Sequence, residues 1–136
     1  MRAVLDPNVI ISALLAPAGA PAQVFRLWVL GVFELIVSPL LLEELERALG
    51  YSKLRKRITE EETRRTVGLL KDRATPGTDP KDSAPLKSKD PGDDYLIALA
   101  RMQNAALVSG DGHLLEMREK IPIYPPRGFL ELLQSS

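Results

Sequence analysis

Short apolar runs alternate with segments of helical period along this chain, and that alternation most restricts what it can fold into. Arg2-Ala3-Val4-Leu5, Phe33-Glu34-Leu35-Ile36-Val37 and Ala105-Ala106-Leu107-Val108 read as strands, and Ile121-Pro122-Ile123-Tyr124 reads as a last edge strand. Helical stretches separate them. Val9, Ile10, Ala13 and Leu14 fall at helical spacing after Asp6-Pro7. Pro21 opens a second helix running to about Leu30, where Gly31 stops it. Ser38 caps a helix with Pro39 in its first position that runs through Leu40 to Leu49 and ends at Gly50. Thr59-Glu60-Glu61-Glu62 is a capping box for a surface helix ending near Arg73. The stretch from Thr75 to Pro91 reads as loop with a short edge strand around Ala84 to Lys87. Asp90-Pro91-Gly92-Asp93 opens a helix through about Asn104, and a short helix starts from about Arg127.

Strands joined through helices require right-handed crossovers, so the expected fold is α/β, three layers α/β/α around a mostly parallel central sheet. With 136 residues, the chain is expected to form one domain spanning 1–136. Ligands of such sheets bind beyond the carboxyl ends of the strands. Asp6, the Ser38-Pro39 turn and Asp111 all lie there.

Composition then decides which chemistry remains. There is no cysteine and the only histidine is His113, which removes thiolate zinc sites, cysteine nucleophiles and histidine pairs. The 18 basic and 18 acidic residues cancel, so the chain is not a generally basic nucleic-acid coat. No phosphate-binding glycine loop or GxSxG elbow occurs, and a serine triad would have to use His113. A phosphatase with an aspartyl nucleophile wants a second Asp two residues after Asp6, where Asn8 stands. The remaining chemistry is that of carboxylates.

Helical phase sorts these carboxylates. At 100° per residue, Leu41, Leu45 and Ala48 form one stripe with Glu44 at its edge, whereas Glu43 and Glu46 point away. Asp93 falls in line with Leu96, Ile97 and Ala100, and Asp94 sits to the side. Asp6 and Asp90 can serve as helix caps, Asp93 as a capping-box residue and Asp111 as a turn residue. Two acids at strand ends and two on inward helix faces beside them suggest more. Like charges ~4 Å apart repel by roughly 4 kcal/mol at an effective dielectric near 20, so such a cluster needs protons or a cation. All-oxygen ligands select hard ions, Mg²⁺ or Mn²⁺.

Four segments in order carry a resemblance. They are Asp6-Pro7-Asn8-Val9-Ile10-Ile11-Ser12, Ser38-Pro39-Leu40-Leu41-Leu42-Glu43-Glu44-Leu45, Asp90-Pro91-Gly92-Asp93-Asp94 leading into Ala98-Leu99-Ala100, and Ser109-Gly110-Asp111-Gly112-His113-Leu114-Leu115. Together, over nearly the whole chain, they resemble the PIN-domain family. That resemblance implies an acidic quartet of Asp6, Glu44, Asp93 and Asp111 that binds Mg²⁺ or Mn²⁺ and hydrolyses RNA, with Asn8, Ser12 and Ser109 as supporting polar groups. Small single-domain members are similar to VapC-like toxin components of bacterial toxin–antitoxin pairs, which implies an antitoxin partner and a homodimer. The chain departs from the pattern at His113, where many relatives carry a further acid, and at Pro7, where Thr or Ser is frequent.

The dense basic run Lys53-Leu54-Arg55-Lys56-Arg57 either faces solvent or binds RNA phosphates through Arg55, Lys56 and Arg57. Aromatics make up 5% of the chain and form no base-stacking pattern; Phe25 and Trp28 read as core or dimer interface. Asp6 interrupts the apolar start before a signal sequence forms, and Arg26, Glu34 and Ser38-Pro39 break the apolar stretch from Val24 to Leu42. The expectation is therefore a cytoplasmic protein with no membrane segment. A non-catalytic binding or regulatory protein that keeps the same fold is the alternative to a nuclease.

Overall fold

The strand Arg2–Leu5 (β1) buries Ala3, Val4 and Leu5 completely, so it can only be a central strand covered on both faces. The computed structural model describes residues 1–80 and 94–135. After β1 come helices α1 (Pro7–Leu15) and α2 (Ala20–Val29), strand β2 (Glu34–Val37), helices α3 (Pro39–Leu49), α4 (Ser52–Arg55) and α5 (Glu60–Arg73), and strand β3 (Thr75–Pro76). Helix α6 (Asp94–Met102), strand β4 (Ala106–Val108), helix α7 (Gly112–Leu115), strand β5 (Ile123–Tyr124) and helix α8 (Pro126–Gln134) complete the described chain.

The five strands pair in the order β3-β2-β1-β4-β5, and every pairing is parallel. This is the expected three-layer α/β/α fold, with α6 packed on β1 and β4 while α1 packs against α2 and α3, and α2 against α8. Chain order reverses between β1 and β4. At such a switch point the connections leave in opposite directions and open a crevice beyond the carboxyl ends of the two strands.

Local chemistry explains the helix starts. Asp6 caps α1 and Ser38 caps α3, each followed by proline in the first helical position, where its missing N–H costs nothing. The Thr59 capping box forms in both directions, Glu62 N–H to Thr59 Oγ1 at 3.0 Å and Thr59 N–H to Glu62 Oε1 at 3.2 Å. Gly31 sits at φ +84° just past α2, a conformation that side chains rarely adopt.

The structure corrects the sequence reading at five elements. Thr75–Pro76 is a strand, not loop: it pairs with Ile36 and Val37, Thr75 Oγ1 donates to Glu34 Oε2, and Gly77 N–H donates to Val37 O. Proline is tolerated there because β3 is an edge, and a Cβ on Gly77 would come within 3.0 Å of Ile36 and 3.1 Å of Leu99. Helices α4 and α7 were not expected, because single turns leave no period to read. The fully covered stripe of α3 is Leu41, Leu45 and Leu49, with Ala48 half-buried at its edge. Helix α6 stops at Met102, and Asn104 turns the chain at φ 52°. The edge strand expected around Ala84 to Lys87 and the helix start at Asp90 to Asp93 lie outside the described residues.

Candidate active site

Two strand ends build the crevice. Leaving β1, Asp6 N–H donates to Val108 O at 2.9 Å, which ties the end of β1 to the end of β4. The Asp6 carboxylate is then fixed at both oxygens: Oδ1 accepts from Asn8 N–H at 3.0 Å and Oδ2 from Ser109 Oγ at 2.8 Å. Ser109 Oγ also accepts from Asp111 N–H at 3.0 Å. Asp111 Oδ1 in turn accepts from His113 N–H at 2.8 Å, capping α7, and the His113 Nδ1 stands 3.8 Å from the same oxygen. Asp6, Ser109 and Asp111 thus form one connected unit, so the cap and the cluster are the same residues.

Electrostatics make this unit costly. Asp6 is 4% exposed and Ser109 fully buried. Burial is the main reason the Asp6 carboxyl sits above its ordinary value of 3.8; the Asn8 and Ser109 hydrogen bonds pull it down, and Glu44 and Asp111 push it up again. The fold holds a buried carboxylate among like charges.

An open cleft of about 430 Å³ lies over the unit, lined by Asp6, Asn8, Ser12 and Asp111 with Val9, Pro21, Gly110 and Pro126. A larger hollow, about 720 Å³, lies at the amino ends of the strands among Arg2, Arg101 and Lys120. Volume favours the second, but the strained acid stands in the first.

Glu44 behaves as its phase requires. It is half-buried, it repels Asp6, and its Oε2 accepts a hydrogen bond from the Tyr95 hydroxyl of α6. Glu43 and Glu46 are exposed and paired elsewhere, with Arg47 at 3.3 Å and Lys71 at 3.2 Å. Tyr95 was not singled out from the sequence. The available signal was an aromatic hydroxyl in the first turn of a helix whose next five residues are buried, since a partly buried phenol needs a partner. Asp93 lies outside the described residues.

Arg55, Lys56 and Arg57 are exposed, and none of them lines the cleft. Arg55 stands 3.7 Å from Glu60, and Lys56 and Arg57 have no ion pair among the described residues. Trp28 is core, packed edge to face with Phe25 at 5.3 Å.

The donor set fits a hard divalent cation. Its side chains offer oxygen, and added positive charge would relieve the repulsion around Asp6. Among the described residues no three acids or histidines stand close enough to hold one ion by direct ligation alone. An ion such as Mg²⁺ keeps several waters and takes only one or two carboxylates directly.

The family profile described as PIN domain matches residues 2–113. Among solved structures, the fold is similar to VapBC-1 from nontypeable Haemophilus influenzae, at 18% identity over 93% of this chain and 99% of that chain, with a TM-score of 0.61. It is also similar to VapBC2 from Rickettsia felis, solved bound to a DNA fragment from their promoter, at 15% identity over 91% and 97% of the two chains, with a TM-score of 0.58. FitAcB from Neisseria gonorrhoeae matches at 16% identity over 92% and 98%, with a TM-score of 0.56. No curated protein matches the chain in sequence. At these identities the structural likeness establishes the fold.

Proposed function

Because the chain belongs to the PIN domain family, we propose that it is a metal-dependent endoribonuclease and the toxin of a toxin–antitoxin pair. The observation that carries this reading is Asp6, a carboxylate buried at the switch-point cleft with Asp111 and Glu44 adding to its charge. A helix cap alone does not call for a carboxylate buried beside two further acids, and such perturbed acids in a cleft are typical of chemical sites.

Asp6, Glu44, Asp111 and Asp93 would hold Mg²⁺ or Mn²⁺, directly or through water. Such an ion, when bound, supplies charge for a phosphodiester oxygen and lowers the pKa of attacking water. The remaining work falls to the chain. Ser109 donates to Asp6 and accepts from the Asp111 backbone, so it keeps the two acids in register. Asn8 and Ser12 line the same cleft and offer hydrogen bonds to phosphate or water. Arg55, Lys56 and Arg57 are the proposed contacts to the RNA backbone outside it.

The fold shared with the VapBC structures supports an antitoxin protein as partner, and a homodimer in the cytoplasm completes the proposal. Among the described residues no single helix is long and apolar enough to cross a membrane.

The test is cleavage of RNA by nuclease-free wild-type protein with Mn²⁺, with EDTA, and with the Asp6→Asn variant. Cleavage lost in the second and third arms supports the reading. Cleavage retained by Asp6→Asn overturns the assignment of the site, and cleavage absent from the wild type with every divalent ion overturns the nuclease reading and leaves a non-catalytic protein of the same fold.

A further inference from the structure

The larger hollow, at the amino edge of the sheet, has no part in the acidic cleft. Its volume of about 720 Å³ falls in the range of small-molecule sites, roughly 300–1,000 Å³, and like them it combines an apolar floor with a few polar groups. Ala105 and Ala106 where the chain enters β4, Ile121 and Pro122 ahead of β5, and Tyr124 and Leu132 supply the apolar part.

The polar part is positive, and no acid lines the hollow among the described residues. Arg101, in the last turn of α6, and Lys120 are exposed, and neither side chain has an ion pair or hydrogen bond among the described residues. Arg2 differs. Its guanidinium is engaged by Glu34 at 3.1 Å and by Gln103 O at 2.6 Å, which leaves Arg101 and Lys120 as the free charges of the hollow. Asn104 adds an exposed amide, on a backbone at φ 52° that Asn adopts more readily than most residues.

Free cations beside an apolar floor complement one ligand chemistry, an anion on an apolar body, whose charge meets the cations while its body displaces water from the floor. We propose that the amino-edge hollow is a second binding site, for a small organic anion such as a carboxylate or phosphate monoester carried on an apolar body. It stands apart from the nuclease reading, because no acid of the carboxyl edge takes part.

The test is fluorescence titration with anilinonaphthalene sulfonate, an aromatic anion, which should bind the wild type saturably at a single site. Two partly exposed charge contacts are together worth on the order of tenfold in affinity, so Arg101→Gln with Lys120→Gln should weaken binding by about that much. Asn104→Asp, which keeps the backbone conformation and adds a negative charge, should weaken it as well. Arg64→Gln with Arg65→Gln removes the same charge from exposed residues that do not line the hollow, and should leave binding unchanged. All five positions are exposed, and melting curves establish that the variants are folded.

Octanoate, adenosine monophosphate and inorganic phosphate then compete at equal concentration. Displacement by octanoate supports the proposal and assigns an alkyl carboxylate; displacement by the nucleotide supports it and assigns a phosphate monoester. Displacement by inorganic phosphate to the same extent, or by neither organic anion, overturns it. So do equal losses in the two double variants, which would reflect net charge alone, and a wild type that shows no saturable binding.

Discussion

Two acids at opposite ends of neighbouring strands have opposite fates. Glu34 opens β2 at the amino edge of the sheet, where Thr75 Oγ1 donates to it and Arg2 stands 3.1 Å away. Its carboxyl is drawn below the ordinary value chiefly by the Thr75 hydrogen bond; desolvation opposes this, and the charge and hydrogen bond of Arg2 add to the lowering. The Arg2 guanidinium also donates to Gln103 O at 2.6 Å, so this edge is stitched together by compensated charge. Asp6 leaves β1 at the carboxyl edge, where burial and two further acids push its carboxyl up. One edge uses charge to close the sheet. The other concentrates charge that the sheet does not need, and that difference marks the candidate site.

Breaking the carboxyl edge should have the largest effect. Outer-shell partners of metal ligands are worth about 10- to 100-fold in activity, so losing a ligand itself should exceed that; Asp6→Asn is expected to reduce Mn²⁺-dependent cleavage by at least ~100-fold. Glu44→Gln should do nearly as much, while Glu43→Gln, an exposed residue paired with Arg47, should leave the rate within about twofold. Cleavage rates at fixed Mn²⁺ check both. Equal losses at Glu43 and Glu44 would break the assignment of the α3 faces.

Ser109→Ala comes next. It removes the donor to Asp6 Oδ2, which is buried, and the acceptor for Asp111 N–H, which is partly buried. A cost of about 1–3 kcal/mol in denaturant unfolding and a 10- to 100-fold fall in cleavage are expected.

The contrast between the two edges was only half legible in the sequence. Strand ends and helical phase were enough to bring Asp6, Asp111 and Glu44 toward one another, because a period and a strand boundary are local properties. The helix caps at Ser38 and Thr59 were legible for the same reason. What pairing decides was not. Thr75–Pro76 reads as loop by residue type and becomes a strand only because β2 offers it an open edge, and the Thr75 contact to Glu34 follows from that pairing. Tyr95 was hidden likewise, since its partner lies 51 positions away on another helix.

Smaller effects sharpen the picture outside the cleft. Neutralising Arg55, Lys56 and Arg57 together should weaken RNA binding irrespective of sequence and flatten its salt dependence, since each released counterion adds to the slope. An unchanged slope would return them to the solvated face. At the amino edge, Arg2→Met should leave the cleavage rate unchanged, because its contacts to Glu34 and Gln103 lie far from the acids. A large loss of activity there would dissolve the division between the edges.

The central claim is that the carboxyl edge carries a charge whose strain a cation relieves, and thermal melting of Asp6→Asn beside the wild type tests it. Because the folded-state value for Asp6 lies above 3.8, the folded protein holds that proton more tightly than the unfolded chain. Stability is therefore lost as pH rises from the unfolded value through the folded one, and the loss persists at neutral pH. Asn bears no such charge. Without metal, the variant should melt higher than the wild type at pH 7, with the gap closing as pH falls toward 4. Mn²⁺ at 100 times its dissociation constant should then stabilise the wild type by about 2.7 kcal/mol and the variant far less, narrowing or reversing the order. A wild type that already melts above Asp6→Asn without metal, or equal Mn²⁺ shifts in both proteins, would contradict the account.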